Sequence, residues 1–350
     1  MQSQATPDPL GYIEYLKLAV FTLLCFFALT YNLGEVPPYH SDENFYVTST
    51  RNMINSGDYL TPVYHDKKRF AKPILFYWLV VTSYKAFGVS LFSARLVSAF
   101  FGALCIPLVY IIARRLFDKK TAMLSAFLLP GCYLHYQIAR WAITDMALNF
   151  FILLAIYFFI RGLRDEPDRG TSIYLAYACM GIGFMIKGPP AVLIPALAFG
   201  IFTLVLFDRN IFSRLHLVSG AVILAVLIAP WFATMLSLHG DEFKNHILGA
   251  EFHDRLIHDT PFSLYYMGVT LRYYLPWSLF FIAALVVRFT TTATAASDKN
   301  GYLTSLSKTL KSRFAELREK DHQPFLLCLT WIFGPLLLFT LLRIEHSRYM

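Results

Sequence analysis

Charged residues are scarce in this 350-residue chain, at 15% against 56% hydrophobic residues. Its apolar runs are too long for strands, and only helices or closed barrels cross a bilayer, so the composition excludes a soluble class and indicates a polytopic helical membrane protein. Cysteine is scarce too: the five cysteines lie within or beside apolar runs, without a disulfide framework or metal-ligand spacing. Because no small-residue cleavage site follows the first apolar run, we expect that run to be a retained span.

The formal net charge of +8 does not indicate nucleic-acid binding. Basic residues lie mostly in short loops between apolar runs, where the bias of cytoplasmic loops towards Lys and Arg explains them. We predict one all-α transmembrane domain over 1–350, with a cytoplasmic connector at 289–323. Length and apolar content predict about nine spans, near 16–31, 93–113, 121–138, 146–160, 172–186, 190–207, 216–236, 273–288 and 324–342.

Residues 72–90 resemble a further span, but Lys72 and Lys85 bracket only a short apolar run. A span needs roughly 20 apolar residues, and Tyr77, Trp78 and Tyr84 are of the types that favour the membrane interface. We therefore predict a helix lying on the membrane surface.

The distribution of basic residues supports this interpretation. If residues 73–90 do not cross the membrane, the basic loops near 114–120, 161–169, 209–214 and 289–323 all become cytoplasmic, as the positive-inside rule requires. If they do cross, all of these loops become exterior. The first arrangement predicts an exterior catalytic loop over 32–90.

An acidic pair opens a predicted helix over 42–56 in this loop. Ser41 suits the N-cap, Asp42 and Glu43 suit the first turn, and Gly57 suits the end of the helix. The carboxylates either complement the helix dipole or point into a cleft above the bilayer.

Arg140 and Asp145 lie together at the exterior end of a predicted span. Ionisable residues at a membrane edge are costly and often functional, although these two could pair with each other. Asp145 is a second exterior carboxylate that could act together with Asp42, either in acid–base chemistry or in holding a divalent cation. The candidate catalytic residues are therefore Asp42, Glu43 and Asp145, and the possible metal ligands are Asp42 and Asp145.

Several exterior cations lie close to predicted membrane edges. Their default interpretation is snorkelling, but a lipid-linked phosphate would need cations at this depth. These residues are Lys72, Lys187, Arg255, Arg343 and Arg348. None of the ten histidines shows a recognised metal spacing, so we expect surface positions unless the fold brings two together.

Three motifs of the exterior loop, DENFY at 42–46, SGDYLTP at 56–62 and KPILFYWL at 72–79, resemble those of the bacterial lipid A aminoarabinose transferases and related protein O-mannosyltransferases. Further motifs follow in the same order at 139–146, 187–189, 230–231, 251–255 and 275–278. The resemblance implies the GT-C membrane glycosyltransferase fold, with surface helices in the first exterior loop.

The resemblance also implies a reaction. A sugar would pass from a polyprenyl-phosphate carrier to a lipid A-like glycolipid or a protein at the periplasmic side of a bacterial inner membrane, with inversion. By position, Asp42 matches the catalytic carboxylate and Asp145 a second acidic residue. Lys72, Arg255 and Tyr349 match residues that contact the carrier phosphate, and we add Lys187 to them as an exterior cation.

At two positions this chain lacks a residue that resembles a metal ligand of the aminoarabinose transferases. This chain has Ala71 where the aminoarabinose transferases have Glu before Lys-Pro, and Phe252 where they have His after Glu. Both missing residues resemble metal ligands of that family, so no cofactor is predicted beyond a possible divalent cation at Asp42 and Asp145. The family's next residues and further spans would follow Met350, so we expect the sequence to be partial.

Three alternatives stay open. The first is a protein O-mannosyltransferase-like activity. The second is a transporter for lipid-linked sugars, although no repeated halves and no polar groups near the middle of the membrane are evident. The third is an inactive relative that acts as a scaffold, since the metal ligands are missing.

Overall fold

The computed structural model describes residues 11–38, 41–163, 169–206, 213–249, 265–290, 319 and 322–341, and it is helical almost throughout. The predicted contacts Arg255 and Tyr349, and most of the connector 289–323, lie outside these ranges. Backbone packing divides the chain into two compact units, one of residues 1–195 with 210–260 and one of residues 196–209 with 261–350. We describe each unit by itself.

The first unit contains the long apolar helices of the N-terminal half. In chain order its elements are α1 (Tyr12–Thr30), α2 (Ser41–Ser56), β1 (Val63–Tyr64), β2 (Lys67–Lys68), α3 (Leu75–Phe87), α4 (Leu91–Leu116), α5 (Lys119–Leu128), α6 (Tyr133–Ala139), α7 (Asp145–Leu163), α8 (Arg169–Lys187), the first residues of α9 (Pro190–Leu206), and α10 (Leu217–His246). Helix α7 packs on α8 and α4, and α4 also packs on α1 and α5. The core of this unit therefore lies along α4, α7 and α8.

The second unit contains the rest of α9 together with α11 (Tyr265–Tyr273), α12 (Trp277–Thr290) and α13 (Gln323–Leu341). Gly334 of α13 faces Leu197 and Ile201 of α9, and a Cβ added at Gly334 would lie 3.1 Å from the Ile201 side chain. The missing side chain thus lets these two helices approach closely, as small residues do between membrane helices.

Five helices of the described residues are long and apolar enough to cross a membrane: α1, α4, α7, α10 with its extension to Gly249, and α13. Helices α9 and α12 are apolar but shorter. The prediction of an all-α polytopic membrane protein is confirmed, and the total of nine spans stays a prediction.

The predicted span over 121–138 is not a single helix. Helix α5 ends at Leu128, a 3₁₀ turn covers Leu129–Gly131, and α6 begins at Tyr133. Pro130 is the cause, because proline lacks an N–H and its ring clashes with the preceding helical turn.

The segment that was predicted to be an exterior loop, 32–90, contains two short helices joined by a hairpin. Helix α2 ends where predicted, with Gly57 at a φ of 73°. His65 and Asp66, with φ values of 45° and 59°, make the tight turn between β1 and β2. Helix α3 has 13 residues, about 20 Å of helix, which is shorter than the roughly 30 Å of a hydrocarbon core. The segment 72–90 therefore contains a helix too short to cross the membrane, as predicted, and its position on the membrane surface stays a prediction.

Candidate functional site

The two carboxylates in the first turn of α2, those of Asp42 and Glu43, lie in different surroundings. Asp42 is half-buried, whereas Glu43 is completely buried. Residues are about 100° apart around a helix, so neighbours face different directions. Tyr46, Ser49 and Met53 lie on the buried face with Glu43.

Glu43 forms a bidentate ion pair with Arg95 of α4. Arg95 Nε lies 2.6 Å from Glu43 Oε1 and Arg95 Nη2 lies 2.8 Å from Oε2. The backbone N–H of Ala142 also donates to Oε1, and Arg95 Nη1 donates to the carbonyls of Leu33 and Val36. The pair thus joins four separate parts of the chain. We assign Glu43 a positioning role rather than the catalytic role considered from the sequence.

Asp145 lies at the first turn of α7 and is buried beside the last residue of α8. Lys187 Nζ donates to Asp145 Oδ1 at 2.8 Å, and both side chains are less than a tenth exposed. The Thr144 hydroxyl donates to the other oxygen at 3.4 Å. Arg140 does not pair with Asp145, because its Nη1 donates to the carbonyls of Leu29 and Tyr31 at the end of α1.

Thr144 connects the surroundings of α2 to this second ion pair. Its side chain lies beside the Tyr46 phenol, and its hydroxyl donates to Asp145. Tyr77 of α3 packs on Tyr46, with ring centroids 5.1 Å apart. Burial raises the pKa of the Tyr46 phenol well above its usual value and raises the pKa of Tyr77 to about 12. Both phenols therefore stay neutral and can donate hydrogen bonds at physiological pH.

Arg69, which the sequence analysis did not select, completes this cluster. Its guanidinium lies 3.7 Å from the centroid of the Phe45 ring, and Arg69 and Asp42 both act electrostatically on the phenols of Tyr46 and Tyr77. The Arg69 and Tyr77 side chains lie next to each other, and in the described part of the chain neither the buried Arg69 Nε nor the buried Tyr77 hydroxyl makes a hydrogen bond of good geometry. Groups of this kind call for a ligand or an ordered water. The signal in the sequence was a basic residue three positions before Lys72.

Lys72 is half-buried between Arg69 and the start of α3. Since Arg255 and Tyr349 lie outside the described residues, the predicted set of carrier-phosphate ligands is represented here by Lys72 and Lys187. Of these, Lys187 is engaged with Asp145.

A metal between Asp42 and Asp145 receives little support from the donor set. No group of three His, Cys, Asp or Glu side chains converges within the described ranges. Asp145 already compensates the Lys187 ammonium, and position 71, beside Lys72, is an alanine that supplies no ligand atom. We derive no catalytic step through a metal ion.

The fold also brings two histidines of α10 against Phe70. Helix α10 bends at Gly240, which has a φ of 50°, and its last turns pack on Phe70. The Phe70 ring contacts both His239 and His246, and His239 Nε2 lies 2.9 Å from the Thr61 hydroxyl. His246 Nε2 is buried without a partner among the described residues. This pair meets the exception that the sequence analysis allowed for two histidines brought together by the fold.

Comparisons with known proteins agree with this architecture. The model of the family dolichyl-phosphate-mannose-protein mannosyltransferase matches residues 71–233. An uncharacterized protein of Aquifex aeolicus is 30% identical over 275 residues, which are 78% of this chain and 54% of the relative. The undecaprenyl phosphate-alpha-4-amino-4-deoxy-L-arabinose arabinosyl transferase of Aeromonas hydrophila is 28% identical over 274 residues, 75% of this chain and 49% of that protein.

A solved structure extends the likeness to the fold. The crystal structure of ArnT from Cupriavidus metallidurans bound to undecaprenyl phosphate matches with a TM-score of 0.69 at 25% identity, over 94% of this chain and 60% of that one. This chain spans about half the length of the two sequence relatives. The predicted resemblance is confirmed: the chain has the GT-C fold and is similar to glycosyltransferases of the aminoarabinose transferase and protein mannosyltransferase type.

Proposed function

We propose that this protein is an inverting glycosyltransferase that moves a sugar from a polyprenyl-phosphate carrier to a lipid A-like glycolipid or a protein. The reaction would take place at the periplasmic face of a bacterial inner membrane. The observation that carries the proposal is that Asp42 and Arg69 both act electrostatically on the buried phenols of Tyr46 and Tyr77, in the same unit as the buried Asp145–Lys187 pair. Carboxylate, cation and hydrogen-bond donors are the groups that such a transfer needs.

Asp42 is the proposed general base. It takes the proton of an acceptor hydroxyl, whose oxygen then forms a bond to the anomeric carbon of the donor sugar. The bond from that carbon to the carrier phosphate breaks, and its electron pair leaves with the phosphate. Direct displacement from the opposite face inverts the anomeric configuration. An acceptor that is itself a phosphate would be anionic already and would need mainly positioning.

The leaving phosphate is the proposed ligand of Lys72, Arg255, Tyr349 and Arg69. Charge-assisted hydrogen bonds stabilise the charge that develops on the phosphate in the transition state. The buried Arg69 Nε and Tyr77 hydroxyl extend this set beyond the residues that the sequence suggested. Lys187 acts through Asp145, which it holds beside Thr144 and Tyr46.

A protein acceptor remains the second candidate. It is favoured by the match of residues 71–233 to the protein mannosyltransferase family, which covers α3 to most of α10. Comparing envelope lipids and proteins by mass spectrometry, in cells with and without the gene, would separate the two, because one glycan mass should disappear from either the lipid or the protein fraction.

The role of Asp42 can be tested with purified full-length chain and an undecaprenyl-phosphate-linked sugar. We expect Asp42→Asn to lower the rate of transfer by about 100-fold or more, the usual effect of losing a general base. Asp66→Asn is the matched control, since Asp66 is exposed in the hairpin turn and asparagine tolerates its positive φ. Full transfer activity in Asp42→Asn with a hydroxyl acceptor would remove Asp42 from the mechanism.

A further inference from the structure

A groove of about 520 Å³ lies between α1, α4 and α5, at the end of the first unit away from Asp145. The two ends are distinguished by the chain itself, since Arg140 holds the last residues of α1 beside the start of α7, and Glu43 holds Arg95 near the start of α4. The beginning of α1, the end of α4 and the beginning of α5 therefore meet at the opposite end. This groove shares none of the residues of the proposed active site.

The groove is polar at one end and apolar along the rest of its length. Glu14, Lys17 and Lys119 line it in the first turns of α1 and α5, and Glu14 forms an ion pair with Lys119 across the groove. Further along the same helices the lining is apolar and includes Phe21 and Phe127, whose rings stack with centroids 5.6 Å apart. Both helices therefore change from charged to apolar in the same direction.

Positive charge exceeds negative charge at the polar end. Glu14 compensates Lys119, whereas Lys17 is exposed and has no acidic partner in the part of the chain that the structure describes. Arg114 and Arg115, in the last turn of α4, add positive charge at this end. By the positive-inside rule this end is cytoplasmic, and the cytoplasmic leaflet carries anionic lipids.

We propose that this groove is a binding site for an anionic phospholipid of the cytoplasmic leaflet. The headgroup phosphate binds the ammonium groups of Lys17 and Lys119, and one acyl chain lies along Phe21 and Phe127. Basic pockets between transmembrane helices bind anionic headgroups by this combination of charge and apolar contact. Lipid binding at this groove does not depend on sugar transfer, so this proposal is tested separately from the proposed function.

Fluorescence quenching by brominated lipids tests the proposal in vesicles that contain the full chain. The reporter is Phe127→Trp, because Phe127 is exposed in the groove and an indole keeps the contact with Phe21. Because the parent chain has five tryptophans, the signal of the reporter is the quenching measured for Phe127→Trp minus the quenching measured for the parent chain. Vesicles of phosphatidylcholine contain either brominated phosphatidylglycerol or the same fraction of brominated phosphatidylcholine.

We expect the apparent affinity of the site for the anionic lipid to exceed that for the zwitterionic lipid by about fivefold or more, the contribution of one basic residue at an anionic surface. Lys17→Gln should abolish this preference. Lys120→Gln is the matched control, being an exposed lysine beside Lys119 and outside the groove lining, and it should retain the preference. Equal quenching by both lipids would show ordinary boundary lipid, and no quenching would show that another segment covers the groove. Either result, or a preference that survives Lys17→Gln, overturns the proposal.

Discussion

Two buried ion pairs lie near the same end of the first unit, and their surroundings differ. Glu43 accepts three hydrogen bonds, two from Arg95 and one from the Ala142 N–H, and Arg95 donates two more to backbone carbonyls, so this pair is close to saturated. Asp145 receives one ammonium donor and one long hydrogen bond from Thr144 among the described residues. A carboxylate can accept about four hydrogen bonds, so the second pair retains acceptor capacity that the first has largely used.

The difference separates a structural pair from a functional candidate. A saturated buried pair can do little chemistry, because any substrate must first break contacts that hold the fold together. The Asp145–Lys187 pair instead connects through Thr144 and Tyr46 to the surroundings of Asp42. Burial of charge is thus shared by both pairs, and it is the remaining hydrogen-bonding capacity that distinguishes them.

The strongest test of this comparison breaks the saturated pair. Arg95→Leu leaves Glu43 buried without a cation and removes donors from two carbonyls, so we expect a loss of about 3 to 5 kcal/mol in stability. Thermal unfolding of the full chain in detergent, followed by circular dichroism, measures the effect. The double variant Glu43→Gln/Arg95→Met should stay unstable, because the carbonyls of Leu33 and Val36 still lack donors. If Arg95→Leu unfolds at a temperature close to that of the parent chain, the Glu43–Arg95 pair has no structural role.

The second test concerns the other pair and separates stability from activity. Lys187→Met leaves Asp145 uncompensated and should cost about 3 kcal/mol. Adding Asp145→Asn removes the buried charge, so the double variant should return to within about 1 kcal/mol of the parent, while sugar transfer stays low. The two readouts are thermal unfolding and the transfer assay on the same preparations. Recovery of transfer together with stability would show that this pair is purely structural.

The smallest effect is expected at an exposed ion pair between β2 and α10. Lys68 Nζ lies 2.7 Å from Glu242 Oε2, with side chains 40% and 56% exposed. Exposed pairs contribute about 0 to 1 kcal/mol, so Lys68→Met should hardly change the unfolding temperature. High salt should remove any difference that remains, because surface charges are screened. A loss as large as that of Arg95→Leu would mean that burial is irrelevant to the comparison.

Much of the fold could be predicted from local patterns. The acidic first turn, the helix over 42–56 and its end at Gly57 are features of neighbouring residues, and the structure contains them. The shortness of α3 follows from the spacing of Lys72 and Lys85 in the same way. The prediction of a continuous span over 121–138 was wrong because it relied on average hydrophobicity and did not include the effect of Pro130 on the backbone.

The site was only partly predictable. The resemblance selected Asp42, Asp145 and Lys72, but Arg69 became a candidate only when its guanidinium was found beside Phe45 and the two phenols. An arginine that follows two lysines in a hairpin carries no signal of that kind, since most such residues are solvated.

The sequence by itself determined that this chain is a bundle of membrane helices with an acidic turn at the start of α2, because apolar length and helix-terminus preferences act over a few residues. Only the tertiary structure decided that Glu43, and not its neighbour Asp42, is the saturated carboxylate. The groups that saturate Glu43 come from Arg95 and Ala142, 52 and 99 residues away along the chain. No local pattern encodes a contact across such distances, because it depends on how α2, α4 and the turn before α7 pack together.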